Sequence, residues 1–190
     1  MFRFVLAVGF SLAAAIAGAA PAPAAVDDAR LRAADTDTAN WMSHGRTYSE
    51  QRFSPLAQID EGNVARLGLA WSQTLDFDRG VEATPLVVDG VMYVTGPWSV
   101  VYAFDAATGR PLWQHDPQVN RARAVEGCCG PVNRGVAVWE GRVYVGTLDG
   151  RLVALDAASG KEAWSVDTLI DASRGYNITG APRVVKGKVL

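Results

Sequence analysis

Ala103-Phe104-Asp105-Ala106-Ala107-Thr108-Gly109, with Trp113 four residues further on, returns as Ala154-Leu155-Asp156-Ala157-Ala158-Ser159-Gly160 with Trp164. The two copies are 51 residues apart at the alanines and at the tryptophans, and no gap is needed between them. In each copy an Asp opens a turn that a Gly completes with positive φ. Each Trp then enters the next strand, where its large ring can dock between neighbouring units and its N–H can reach a backbone carbonyl. Working outward, Val88-Asp89-Gly90-Val91-Met92-Tyr93-Val94 has its counterpart in Val138-Trp139-Glu140-Gly141-Arg142-Val143-Tyr144-Val145, again with glycines 51 apart. Short apolar runs closed by Asp-Gly, Glu-Gly and Lys-Gly pairs read as antiparallel hairpins.

A period of this size with four short strands per unit predicts an all-β fold, a β-propeller. The chain holds two blades and the start of a third at Gly180-Ala181-Pro182-Arg183-Val184-Val185-Lys186-Gly187. A propeller closes with four to eight blades, so the expectation is an N-terminal part of a longer protein. Upstream, Asp60 is expected to cap a short helix through Asn63-Val64-Ala65-Arg66-Leu67, ended by Gly68.

Met1-Phe2-Arg3 followed by an apolar run to about Ala20 and by Ala22-Pro23-Ala24 has the three-part pattern of a secretory signal peptide, assigned to residues 1–24. Ala17-Gly18-Ala19 is a second cleavage site. The apolar run falls just short of the ~20 residues of a membrane span, and no later segment is apolar enough. Residues 25–40, rich in Ala, Asp and Thr, read as a flexible leader, and 41–190 as the propeller part. A formal net charge of −2 offers no basic field for nucleic acid.

Export decides the cysteine chemistry. The only two cysteines, Cys128 and Cys129, are neighbours. In an oxidising compartment they pair with each other or with another molecule. Adjacent Cα atoms lie about 3.8 Å apart, closer than the usual disulfide span of roughly 4.4–6.8 Å, so a mutual bond closes a strained ring. Gly127, Gly130 and Pro131 would then make this a rigid platform. A structural zinc site needs four ligands, and only His44 and His115 could add to the cysteines.

Three polar residues stand at matching places before the first strand of each unit: Glu82, Arg134 and Thr179. A carboxylate, a guanidinium and a hydroxyl converging beside a flat surface suit a planar, polyanionic ligand, since Arg offers a fixed fork of donors to carboxylates. The plainer alternative is an ion pair between Glu82 and Arg134 that only braces the blade ends.

These residues bring a resemblance into view. From Trp41 to Leu190 the chain resembles the N-terminal part of the quinoprotein alcohol dehydrogenases, which carry pyrroloquinoline quinone (PQQ) and Ca²⁺ on an eight-bladed propeller. The similar segments are Trp41-x-x-x-Gly45-Arg46, then Arg52-x-Ser54-Pro55-Leu56 through Asn63-Val64 to Ala70-Trp71, the two tryptophan-docking repeats, Gly80-Val81-Glu82-Ala83-Thr84-Pro85, and Cys128-Cys129-Gly130-Pro131-Val132-Asn133-Arg134-Gly135. The resemblance implies roles. Glu82 hydrogen-bonds the cofactor edge, and a Cys128–Cys129 disulfide stacks on one face of its ring. Arg134 binds a carboxylate or quinone oxygen, Thr179 holds another polar edge, and the small Gly180 and Ala181 allow close approach. The Ca²⁺ ligands and the catalytic base are implied to lie beyond residue 190. The implied reaction oxidises a small alcohol to an aldehyde by hydride transfer to PQQ, with electrons passed to a periplasmic cytochrome c or to a haem c domain fused at the C-terminus. A binding-only propeller of the outer-membrane assembly type shares the repeats. It leaves Cys128, Cys129 and the Glu82/Arg134/Thr179 convergence without a purpose.

Overall fold

Each hairpin is set by two adjacent residues with positive φ: Asp89 and Gly90 at 49° and 81°, Glu140 and Gly141 at 43° and 71°, Lys186 and Gly187 at 51° and 71°. That pair of angles is what a two-residue turn matching the strand twist demands. In the computed structural model, which describes residues 25–127, 129–171 and 173–190, the turns organise ten strands. Four make the first sheet: β1 (Leu86–Val88), β2 (Val91–Thr95), β3 (Val101–Asp105) and β4 (Pro111–His115). Four make the second: β5 (Ala137–Trp139), β6 (Arg142–Gly146), β7 (Arg151–Asp156) and β8 (Glu162–Asp167). β9 (Val184–Val185) and β10 (Lys188–Val189) open a third. Both large sheets are antiparallel meanders in sequence order. Their registers match: Leu86 pairs with Tyr93 as Ala137 pairs with Tyr144, and Val91 with Asp105 as Arg142 with Asp156. Even the irregularity repeats, between Ala103 and Phe104 and between Ala154 and Leu155. These are the two blades and the start of a third that the repeat predicts.

The core lies between the sheets. Val88, Tyr93, Val101, Val136, Val143, Val145, Val153 and Leu155 are fully buried there. The Tyr93 hydroxyl crosses to donate to the Ala157 carbonyl at 3.1 Å. The tryptophans join the units. Trp113 donates its indole N–H to the Ala157 carbonyl at 3.0 Å and lays its ring against Gly160 of the next blade. Trp71 does the same one step earlier, donating to Ala106 at 3.1 Å and covering Gly109. Trp164, on the outer strand of the second blade, is 42% exposed.

Two expectations are corrected. Residues 25–40 are not a loose leader. Asp27 caps a short helix, α1 (Asp28–Arg32), by accepting from Arg30 N at 2.8 Å. Val26, Leu31 and Ala34 are buried in the common core. Arg30 grips Asp89 with two nitrogens at 3.0 and 2.9 Å, and the Val26 carbonyl accepts from Glu140 N. The segment thus spans the β1–β2 turn and the β5–β6 turn, because three apolar side chains and a forked ion pair outweigh its polar composition. The helix expected after Asp60 is only a 3₁₀ turn at Val64–Arg66, closed at Leu67 rather than Gly68. Its N-cap is Asn63, without a side-chain bond, and Asp60 instead closes a turn just upstream by accepting from Gly62 N at 2.9 Å. Val64 and Leu67 stay exposed, so no apolar face is buried to extend it. The signal-peptide assignment, residues 1–24, lies outside the described residues.

Candidate functional site

Antiparallel meanders sort the loops onto two ends. The turns at Asp89-Gly90 and Asp105 to Gly109 lie at one end. The β2–β3 turn, the 116–136 connection and the lead-ins to β1, β5 and β9 lie at the other. Glu82, Arg134 and Thr179 all belong to those lead-ins.

The three lead-ins run side by side. Thr84 N donates to the Arg134 carbonyl at 3.2 Å, and Arg134 N donates to the Thr179 carbonyl at 2.9 Å. Gly135 lets the strands approach this closely, since a Cβ there would stand 3.2 Å from the Thr84 carbonyl oxygen. With the backbones aligned, the side chains meet as expected. Arg134 donates through Nη1 to Thr179 Oγ1 at 2.9 Å and pairs through Nη2 with Glu82 Oε2 at 3.1 Å. The Arg134 and Glu82 side chains are 37% and 43% exposed, so water screens the pair and it contributes at most about 1 kcal/mol to folding. Covering the cluster with a ligand would exclude that water and strengthen every charge interaction in it. Each Nη of Arg134 carries a second N–H, so the fork keeps donors for a ligand.

The 116–133 strap rises beside this cluster. Asn120 caps a six-residue 3₁₀ helix, Arg121–Glu126, by accepting from Ala122 N at 3.0 Å. Arg123 bonds Glu126 at 2.8 Å and the Tyr176 carbonyl at 3.1 Å, which ties the strap to the third lead-in. Arg121 sits over the Trp98 ring at 5.5 Å, and Trp98 N donates to the Pro131 carbonyl at 2.9 Å. At its base, Arg151 donates to the Pro117 carbonyl at 2.7 Å and is held by Asp149. Cys129 is exposed on the strap, whereas Cys128, and with it the expected disulfide, lies outside the described residues.

Gly180 and Ala181 sit just past the cluster. A Cβ on Gly180 would meet open space, and Ala181 packs 3.6 Å from the Cβ position of Gly135. Both also line a cavity with Ile178, Pro182 and Val189. Among the described residues, no group of three His, Cys, Asp or Glu could hold a metal ion. No described helix is long and apolar enough to cross a membrane.

A family model, the PQQ β-propeller domain of glucose/ethanol/alcohol dehydrogenases, matches residues 41–186. The chain belongs to this family. Among relatives of the PQQ propeller family, the quinohemoprotein alcohol dehydrogenase ADH-IIG of Pseudomonas putida is 65% identical over 185 residues, covering 97% of this chain and 26% of that protein. The 1-butanol dehydrogenase (cytochrome c) of Thauera butanivorans is 59% identical over 150 residues, 79% of this chain and 22% of that protein. The crystal structure of the quinohemoprotein alcohol dehydrogenase of Comamonas testosteroni superposes with a TM-score of 0.85 at 54% identity, covering 90% of this chain and 26% of that one. The chain therefore spans about a quarter of the length of the relatives it matches. The β-propeller fold follows from the family and from the neighbouring structures.

The sequence missed two side chains that shape the site. Asn133 and Ser99 are buried polar residues that bond each other between the blades, 34 positions apart. Asn133 stands next to Arg134 and carried a signal by that adjacency. Ser99 sits at a turn where the two repeats differ, Pro97-Trp98-Ser99 against Leu148-Asp149-Gly150, so periodicity could not single it out.

Proposed function

We propose that the protein carrying this chain oxidises alcohols with PQQ as cofactor, and that Glu82, Arg134 and Thr179 hold the cofactor's polar edge. The observation that carries this is the Arg134 fork, pinned by its backbone between two lead-ins and bonded on one side to Glu82 and on the other to Thr179. The donor set fits the group: PQQ is planar, carries carboxylates, and offers carbonyl oxygens to a guanidinium and a hydroxyl. When bound, PQQ would supply the oxidising power, acting as the two-electron, two-proton sink for conversion of an alcohol to an aldehyde.

Arg134 then binds a carboxylate or quinone oxygen, Glu82 accepts from a donor on the cofactor edge, and Thr179 serves a further polar edge. Cys128 and Cys129 pair as a disulfide that gives one face of the ring a flat support. Gly180 and Ala181 leave room for close approach. Ca²⁺ would supply Lewis acidity to the bound cofactor, and no group of described residues is assigned to hold it. The substrates are small primary alcohols, as the name of the butanol relative indicates for that protein. Electrons leave to a cytochrome c or to a fused haem c domain, in keeping with the quinohemoprotein and cytochrome c names of the relatives. The protein works in the periplasm after cleavage of residues 1–24.

The test is a titration of the full-length apoprotein with PQQ in the presence of Ca²⁺, followed by tryptophan fluorescence, with dye reduction by ethanol and 1-butanol as the second readout. Saturable quenching and alcohol-dependent dye reduction are expected. Absence of both would overturn the proposal. Exposure to a thiol reductant tests the platform: activity unchanged after verified reduction of Cys128–Cys129 would remove its role.

A further inference from the structure

Asn133 is 1% exposed and its side-chain amide is fully engaged. Its Nδ2 donates to Ser99 Oγ at 3.2 Å and to the Gly146 carbonyl at 2.8 Å, and its Oδ1 accepts from Gly135 N at 3.1 Å. Its own carbonyl accepts from Thr95 Oγ1 at 3.3 Å. Ser99 Oγ in turn accepts from Leu148 N at 3.1 Å. Ser99 and Thr95 belong to the first blade, Gly146 and Leu148 to the second, and all these side chains are buried. One amide thus fastens the β2–β3 turn of one blade to the end of β6 in the next. The same amide closes a two-residue turn across Arg134, from Asn133 Oδ1 to Gly135 N.

That turn is the consequential part. Arg134 is the residue enclosed by it. Its N–H and carbonyl go to Thr179 and Thr84, so the direction of its side chain is set by the backbone around it. The Asn133 side chain bonds Ser99, Gly146 and Gly135 rather than Glu82 or Thr179. It fixes the φ and ψ from which Arg134 departs. We infer that Asn133 is a positioning residue for the cofactor cradle, acting on PQQ only through Arg134. The inference rests on the proposed cofactor reading and names which buried group makes the Arg134 fork preorganised rather than adaptable.

A merely structural Asn133 would lower stability and leave cofactor affinity alone, or weaken it independently of Arg134. A positioning Asn133 weakens affinity only while Arg134 is present. The experiment is a double-mutant cycle in the full-length apoprotein, with PQQ dissociation constants from fluorescence quenching: Asn133→Ala, Arg134→Ala and the double substitution. Asn133→Ala is expected to raise Kd by about tenfold, since loss of the enclosed turn frees Arg134, and to have no further effect in the Arg134→Ala background. Ser99→Ala removes two bonds between the blades, from Asn133 Nδ2 and from Leu148 N, but leaves the turn to Gly135, so it should lower the melting temperature with less than about a threefold change in Kd. Where Asn133→Ala does not accumulate as folded protein, Asn133→Gln takes its place in the cycle. It keeps a buried amide but sets it one methylene too far out to close the turn. Additive effects of the 133 and 134 substitutions on Kd, or equal Kd changes for Ser99→Ala and the Asn133 variant, would overturn the inference. If the unsubstituted protein binds no PQQ, the proposed function falls and this inference with it. If the unsubstituted protein binds and the cycle is additive, only this inference falls.

Discussion

The two ends of the same sheets follow different rules. At the Asp-Gly end the blades are near copies. Asp105 accepts from the Thr108 hydroxyl and N–H at 2.8 and 3.0 Å, and Asp156 accepts from Ser159 at the same two distances. Each turn is then covered by a tryptophan from the unit before. At the lead-in end the backbone turns still correspond, Gly96 N to the Val100 carbonyl and Thr147 N to the Arg151 carbonyl, but the side chains do not repeat. A carboxylate, a guanidinium and a hydroxyl occupy matched positions, and one connection carries a long strap where the other has Thr168 to Arg183. Structure is repeated where the blades stack, and it diverges where the proposed cofactor would meet chemically distinct groups. Substitutions at the first end should therefore move stability, and those at the second should move binding.

The largest effect tests the stacking end. Trp113 carries an indole hydrogen bond to the next blade and packs at 5.8 Å from the Tyr93 ring. Trp113→Ala is expected to cost about 3 kcal/mol, measured by denaturant unfolding of the full-length protein, because it leaves a cavity and removes one of the two donors, with Tyr93, to the Ala157 carbonyl. A cost below about 1 kcal/mol would mean that the shared apolar core and the Tyr93 and Asn133 bonds hold the blades together without the indole. Next comes the ligand end. Arg134→Ala removes a charge-assisted fork worth about 1.5–3 kcal/mol to a bound anion, so PQQ affinity should fall by roughly 10- to 100-fold. Its screened, half-exposed pair with Glu82 predicts a stability loss of less than about 1 kcal/mol. A variant that binds normally but melts early would return Glu82 and Arg134 to the role of a brace.

Two glycines sharpen the contrast at smaller amplitude. Gly109 and Gly130 have similar positive φ, 73° and 76°. A Cβ on Gly109 would stand 2.5 Å from the Trp71 ring, whereas one on Gly130 would meet nothing within 4 Å. Gly109→Ala should therefore cost more than about 2 kcal/mol, combining backbone strain with displacement of the indole. Gly130→Ala should cost about 1 kcal/mol from backbone strain only, read from the same unfolding curves. Equal costs would show that Trp71 moves aside freely.

This asymmetry also explains what could be read in advance. The blades were legible because Asp105, Gly109 and Trp113 recur as Asp156, Gly160 and Trp164, and the turn chemistry of each follows from one residue's own preferences. Glu82, Arg134 and Thr179 were legible because the repeat gives them equivalent places, and the structure brings them together as that equivalence predicts. Ser99 was not legible. Its partners Asn133 and Leu148 are 34 and 49 residues away, and a bond between blade ends leaves no periodic trace. The docking of residues 25–40 was hidden for a related reason. Val26, Leu31 and Ala34 are too few for a pattern, and Arg30 finds Asp89 only after the β1–β2 turn has formed.

The smallest effect comes from the repeated turns themselves. The Thr108 hydroxyl, then its N–H, hold the Asp105 carboxyl below the usual carboxylate range, and Ser159 does the same for Asp156. A carboxyl depressed in the folded state contributes stability above its unfolded value of about 3.9, and that contribution is lost as pH falls through the folded value. The melting temperature should therefore decline from about pH 5 toward pH 3. Thr108→Val keeps the shape and removes the hydroxyl, so Asp105 should titrate closer to an ordinary aspartate and part of the acid sensitivity should disappear. The turn stays closed through Gly109 N to the Asp105 carbonyl at 2.8 Å, which is why the change should be small at neutral pH. Carboxyl resonances followed by NMR give the direct reading. An unmoved Asp105 midpoint in Thr108→Val would assign the depression to the backbone N–H groups of Ala107 and Thr108, so that the turn conformation rather than the Thr side chain sets the acid response of this turn.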